Sequence, residues 1–175
     1  MMLIVLGGLP GTGKTTLARE LARQLSATYL RIDTLEQAIL HSGIASDAGP
    51  AGYFAGYAVA ADNLSLGSIV VADSVNALTI VRNSWIEIAK DAGVPCIEVE
   101  VICSDPVEHR RRVETRKPDI PGHKLPGWQD VLDRHYEPWE REHILIDTCA
   151  LSIPQAVDAV ISQLPELSFT RAGRQ

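Results

Sequence analysis

Gly8-Leu9-Pro10-Gly11-Thr12-Gly13-Lys14-Thr15 fits the phosphate-binding loop pattern G-x-x-x-x-G-K-[ST] (Walker A) at every fixed position. Its flanks supply the setting that the pattern demands. Met2-Leu3-Ile4-Val5-Leu6 before it is an apolar run of strand type. After it, Leu17, Leu21 and Leu25 recur at helical spacing with Ala18 and Ala22 beside them. Strand, glycine-rich turn and helix predict main-chain N–H groups converging at a helix N-terminus, which is an anion site. Gly8, Gly11 and Gly13 let the backbone approach a ligand without a Cβ in the way, and Pro10 stiffens the turn. Lys14 brings a mobile charge to the terminal phosphates. Thr15 offers a hydroxyl to Mg²⁺, a hard cation that prefers oxygen. The expected nucleotide contacts are Gly8, Pro10, Gly11, Thr12, Gly13, Lys14, Thr15 and Thr16.

The 175 residues are 46% apolar and 22% charged, an ordinary globular composition. This predicts one domain over 1–167, with a frayed tail from Ser168 to Gln175. A formal charge of −6 argues against a general nucleic-acid binder. Cys96, Cys103 and Cys149 are widely spaced in apolar stretches with no C-x-x-C pair, so they read as buried free thiols. Free thiols suit a reducing cytoplasm, the expected location. The apolar start is too short for a signal peptide and has no basic leader. No stretch approaches the length of a membrane span.

Further along, Thr28 to Asp33 reads as a second strand ending in a carboxylate. Ala51 to Leu66 reads as a helix with Phe54, Tyr57, Ala58, Ala61 and Leu64 on its packed stripe. Ser68 to Asp73 is a continuous apolar strand, as in a buried parallel sheet, and it also ends in a carboxylate. Helix from about Thr79 to Ala92 and strand from Cys96 to Cys103 follow. Val107 to Arg116 reads as an arginine-heavy helix, and Pro118 to Gly127 is too rich in Pro and Gly for a regular element. Trp128 to Trp139 predicts a further helix broken at Pro138, His143 to Thr148 a fifth strand, and Ser152 the start of a last helix. Alternating strands and helices predict a doubly wound five-stranded parallel sheet. In such sheets ligands sit beyond the carboxyl ends of the strands, which puts Asp33 and Asp73 at the mouth holding the phosphates. The histidines lack ligand spacing, so no metal site is expected from them.

With these elements in place the sequence resembles the P-loop kinases of small molecules: gluconate, shikimate and adenylylsulfate kinases, chloramphenicol phosphotransferase and the nucleoside monophosphate kinases. The specific part of the resemblance is Gly8 to Thr15. Asp33, Asp73 and the Arg110–Arg116 helix match by position and order. The resemblance implies a P-loop NTPase fold of the nucleoside monophosphate kinase type. It implies an acceptor-binding insertion at about 41–67 and an arginine-rich lid at about 106–127. It also implies ATP and Mg²⁺, with Thr15 and Asp73 serving the metal. Lys14, Asp33, Arg112 and Arg116 are the implied catalytic residues, and Asp33 is the implied base. The adenine site is implied at Cys149 to Leu151. No guanine-reading N-K-x-D occurs, which favours ATP over GTP.

Residues 44–66 are rich in Ala and Gly and poor in charge, which predicts a small, neutral, hydroxyl-bearing acceptor. Asp33, His41, Tyr53, Tyr57, Asn76 and Arg82 are its expected contacts. The expected assembly is a monomer or homodimer without membrane or nucleic-acid partners. Two rival readings are a polynucleotide 5′-hydroxyl or nucleotide-sugar kinase, and an ATP-binding regulator without kinase activity.

Overall fold

The structure, a computed structural model, describes residues 1–165. The expected frayed tail from Ser168 onward lies outside the described residues. The elements run β1 (Met2–Gly7), α1 (Lys14–Gln24), β2 (Thr28–Arg31), α2 (Ile32–His41), α3 (Ala51–Ser65) and β3 (Ile69–Asp73). They continue with α4 (Thr79–Asp91), β4 (Cys96–Ile102), α5 (Pro106–Thr115), α6 (Trp128–Leu132), β5 (Ile144–Asp147) and α7 (Ile153–Ile161). The strands form one parallel five-stranded sheet in the order β2-β3-β1-β4-β5. Among the described residues no helix is long and apolar enough to cross a membrane.

Strand β1 is buried along its whole length because it packs on both faces. Met2, Ile4 and Leu6 join Leu17 and Leu21 of α1 and Val157 and Val160 of α7. Leu3 and Val5 point the other way, to Ala60 and Leu64 of α3 and Trp85 and Ala89 of α4. This two-sided burial is why the strand reads as an unbroken apolar run. The register aligns Leu6 with Asp73 and Asp73 with Arg31, so three strand ends meet at one edge. The chain leaves that edge from β1 directly into the phosphate-loop sequence.

Several boundaries differ from expectation. Strand β2 ends at Arg31, and Ile32 and Asp33 open α2. Helix α3 packs through Gly52, Gly56, Ala60 and Leu64, whereas Phe54, Ala58 and Ala61 are exposed. The reason is close approach to α2: a Cβ on Gly56 would lie 2.4 Å from Ile32 Cδ1, so a bulky face has no room there. Helix α6 stops at Leu132 instead of continuing to Trp139. The segment after it is drawn across β4 by polar side chains: Tyr136 donates to Glu100 (3.1 Å), and Arg141 forks onto Glu98 (2.9 Å from both Nε and Nη2). The cysteine expectation also fails in part. Cys103 and Cys149, at the ends of adjacent strands with Cα atoms 5.3 Å apart, are paired as a disulfide, and Cys96 is free. Strand adjacency, invisible in residue spacing, brings them together.

Candidate active site

The loop between β1 and α1 folds as its glycines demand. Gly8 takes φ 144° and Gly11 φ 88°. A Cβ on Gly8 would sit 2.2 Å from Val101 O, and one on Gly11 would sit 2.5 Å from Val113 Cγ2. Neighbouring elements hold the loop open. Gly8 N donates to Val75 O (3.0 Å), Thr12 Oγ1 to Leu9 O (2.9 Å) and Thr148 Oγ1 to Thr12 O (2.7 Å). His109 Nε2 lies 2.8 Å from Pro10 O. Helix α1 starts at Lys14 with no acid in its first turn, so its positive end is left for an anion. Lys14 is buried, and burial holds its ammonium below the ordinary lysine range, against the pull of Asp73 and Asp33.

Asp73 ends β3 beside the loop. Its Oδ2 accepts from Tyr29 OH (2.8 Å) and lies 3.9 Å from Arg31 Nε. Its Oδ1 is buried and has no hydrogen-bond partner. A buried, unpaired carboxylate oxygen is costly without a donor or cation. That free oxygen and the hydroxyl of Thr15, in the first turn of α1, are hard-oxygen donors of the kind that Mg²⁺ prefers.

Asp33 stands in the first turn of α2, where Arg31 reaches it through Nε (3.3 Å) and Nη2 (3.2 Å). Arg31 is buried, and its Nη1 also donates to Asp119 of the lid loop (2.8 Å), which Arg19 holds from α1 (2.7 Å). These hydrogen bonds, the Arg31 one foremost, hold the Asp119 carboxyl down at about 2. Arg31 thus joins β2, α2 and the loop after α5 at one point.

The arginines of α5 divide. Arg110 and Arg111 pair with Glu114 and Glu108 on the helix surface. Arg112 turns inward, donating to Thr148 Oγ1 (2.7 Å) and to Glu108 (2.7 Å). Arg116, just past the helix end, donates to Pro126 O (3.2 Å), and its Nε is buried without a partner.

Two cavities open on this arrangement. One of about 260 Å³ follows the outer side of the loop, past Gly13, Thr16, Arg19 and Arg112. The other, of about 450 Å³, is bounded by Lys14, Asp33, Glu36, Tyr53, Ser74, Arg116 and the loop residues His123, Lys124, Leu125 and Pro126. Lys14, Thr15, Arg31 and Arg116 line both. The Tyr53 and Ser74 hydroxyls share a hydrogen bond at the wall, and burial pushes the Tyr53 phenol up to about 12. Burial, helped by Asp33 and Asp47, pushes the Glu36 carboxyl up to about 7.

Four expected acceptor contacts lie elsewhere. Asn76 is fully buried, donating to Leu6 O (2.7 Å) and accepting from Trp85 Nε1 (3.0 Å). Arg82 is buried under Trp139 and donates to the carbonyls of Asn76, Ala77, Glu137 and Pro138. Tyr57 stacks edge-on to Trp85 with centroids 4.6 Å apart and donates to Val81 O. His41 is exposed at the end of α2, outside the 450 Å³ cavity, against Gly122 of the lid loop. Asn76 and Arg82 were expected there because they follow the end of β3, His41 and Tyr57 because they belong to the expected insertion, and each is claimed by the core or by another loop. The loop after α5 and the turn after α6 bring Arg116, His123, Lys124 and Arg134 to the same cavity. Sequence reasoning missed Arg31, Glu36, His123, Lys124 and Arg134. Glu36 alone had a local signal, one helical turn beyond Asp33.

A parallel sheet of this order, with a Walker A loop between its first strand and first helix, defines an α/β P-loop NTPase fold. Residues 3–135 match the profile of the AAA_33 family, described as an AAA domain, and the chain belongs to that family. Solved P-loop kinases share the architecture. The Mycobacterium tuberculosis APS kinase CysC, in complex with AMPPNP and APS, matches with a TM-score of 0.71 at 19% identity, covering 92% of this chain and 95% of that one. A gluconokinase from Sinorhizobium meliloti 1021 matches with a TM-score of 0.62 at 22% identity, covering 91% and 89%. Kti12 from Chaetomium thermophilum, in complex with ADP-AlF3, matches with a TM-score of 0.69 at 25% identity, covering 94% and 100%. No curated protein matches the chain.

Proposed function

We propose that this protein transfers the γ-phosphoryl group of ATP to a hydroxyl of a small molecule. The observation that carries the reading is convergence: Lys14, Asp33 and Arg116 line one cavity beside the phosphate loop, and Asp73, with a buried oxygen that lacks a partner, ends β3 at the same sheet edge. The loop amides and the N-terminus of α1 seat the β- and γ-phosphates, and Lys14 neutralises their outer oxygens. The Thr15 hydroxyl and the free Asp73 oxygen would hold Mg²⁺. When bound, the ion draws charge from the phosphate oxygens. Asp33, oriented by Arg31, accepts the proton of the acceptor hydroxyl. The hydroxyl oxygen forms the new bond to phosphorus, the bond to the bridging oxygen breaks, and ADP leaves. Arg116 faces the charge that spreads over the phosphoryl oxygens during transfer. The lid loop, drawn down by Asp119, excludes water that would otherwise compete with the acceptor.

Nucleotide complexes of structural neighbours support the nucleotide half of this reading, since the APS kinase above holds AMPPNP and Kti12 holds ADP-AlF3. Measuring ADP release from MgATP, with and without a panel of sugars, hydroxy acids, nucleosides and antibiotics, tests it. Acceptor-dependent release is expected. Release that no acceptor stimulates would favour a nucleotide-binding regulator.

A further inference from the structure

The 450 Å³ cavity has two different ends. Arg116 lies on the wall shared with the groove along the phosphate loop. Arg134 lies on the wall shared with a third cleft, formed by Tyr53, Val75, Ala77, Leu78 and Val81 on the side of α3 and α4. The Arg134 end is therefore the one away from the nucleotide. His123 and Lys124 of the lid loop line the same cavity.

The charges there are unevenly committed. Among the carboxylates, Asp33 is held by Arg31, and Asp130 accepts from Gly127 N (2.8 Å). Glu36 makes no ion pair among the described residues, and its carboxyl, pushed up to about 7, is part-protonated at neutral pH. Among the cations, Lys124 and Arg134 are exposed and make no ion pair among the described residues, although Arg134 is close enough to Glu36 to draw on its carboxyl. His123 Nδ1 is a buried ring nitrogen without a hydrogen-bond partner. Only two other buried side-chain atoms among the described residues are orphaned, Arg116 Nε and Asp73 Oδ1, and they belong to the nucleotide side of the same site. Orphaned buried polar atoms in a native fold are rare and call for a partner from outside the chain. Two cations without ion pairs and a histidine with an unpaired ring nitrogen line one cavity, a lining that suits an anion, since guanidinium and ammonium groups bind carboxylate and phosphate oxygens more strongly than neutral ones.

We propose that the phosphoryl acceptor carries an anionic group, carboxylate or phosphate, seated by His123, Lys124 and Arg134 at the end of the cavity away from the nucleotide. This rests on the phosphotransfer reading above and names the acceptor class for it. It replaces the neutral acceptor that residues 44–66 suggested.

The test uses the full chain with MgATP and matched acceptors: D-gluconate against D-glucitol, and glycerol 3-phosphate against glycerol. ADP release is expected to rise with an anionic member about tenfold or more above its neutral partner, the size of one charge-assisted hydrogen bond. Which pair responds tells carboxylate from phosphate. His123→Asn and Arg134→Gln are each expected to reduce that stimulation about tenfold by raising KM for the acceptor, with Arg134→Lys recovering part of it. Equal response to charged and neutral members, no response to any, or stimulation unchanged in both variants overturns the proposal. Binding of AMPPNP with Mg²⁺, measured in parallel, separates the two readings. If AMPPNP binds and anions have no advantage, only the acceptor charge is wrong. If AMPPNP does not bind, the phosphotransfer reading falls too.

Discussion

Arg31 donates twice to a single oxygen of Asp33, from Nε at 3.3 Å and from Nη2 at 3.2 Å, and both side chains line the cavity that Lys14 enters. The grip fixes the carboxylate plane and leaves Oδ1 of Asp33 for a ligand. A base must be held within hydrogen-bond reach of the proton it takes, and this pair supplies the holding. Asp33→Asn keeps the shape and removes the proton acceptor. Acceptor-dependent ADP release is expected to fall about 10²- to 10⁴-fold, the range for loss of a general base. AMPPNP affinity by calorimetry is expected to move far less. Turnover unchanged in the variant would remove Asp33 from the chemistry.

Arg31→Lys keeps the charge but cannot fork onto Asp33 while also reaching Asp119. The lid loop then loses its anchor to β2. Urea unfolding is expected to show a loss of about 1–3 kcal/mol, as for a broken charged hydrogen bond. Limited proteolysis is expected to cut first between Lys117 and Gly127. An uncut loop and unchanged stability would show that Arg19 alone holds Asp119.

Glu36 carries the pH prediction. Its folded carboxyl is pushed up to about 7 by burial, then by Asp33 and Asp47, from an ordinary value of 4.5. The folded state therefore holds a proton that the unfolded chain has released. Stability from this group is full below about pH 4.5 and is lost as pH rises through about 7. Glu36→Gln has no proton to lose, so the fall in Tm between pH 4.5 and 7 is expected to be shallower in the variant. Parallel Tm curves for the two proteins would contradict the assignment.

Trp85 tests the α3–α4 side of the core. It is fully buried, meets Tyr57 edge-on at 4.6 Å and donates to Asn76. Trp85→Ala removes the packing and also leaves Asn76 Oδ1 unpaired. The expected loss is about 3–5 kcal/mol in chemical denaturation. A loss below about 1 kcal/mol would mean that the site collapses around the smaller residue.

The parts of this fold written in neighbouring residues were legible; those written across the chain were not. The phosphate loop, its strand and its helix lie within one stretch, so spacing reveals them. The order of strands and helices followed from apolar runs and Gly or Pro breaks. Arg31 had no such signal, because its partner Asp119 is 88 residues away and meets it only after the lid folds back. The Cys103–Cys149 pair depends on β4 lying beside β5. Asn76 and Arg82 looked available because they follow a strand end; main-chain carbonyls and Trp85 had already engaged them. Helix α3 misled for a different reason. Its small residues mark the buried face rather than the exposed one, since α2 approaches too closely for large side chains.

The central claim is that the amides from Gly8 to Thr15, completed by the Lys14 ammonium, grip the phosphates of ATP for transfer. Lys14→Ala tests it most directly, with AMPPNP binding in Mg²⁺ and ADP release measured on the same preparation. The account predicts that affinity drops and that turnover falls by about 10² or more, as when a charge-stabilising donor is lost. Affinity and turnover both equal to those of the unaltered protein would contradict it.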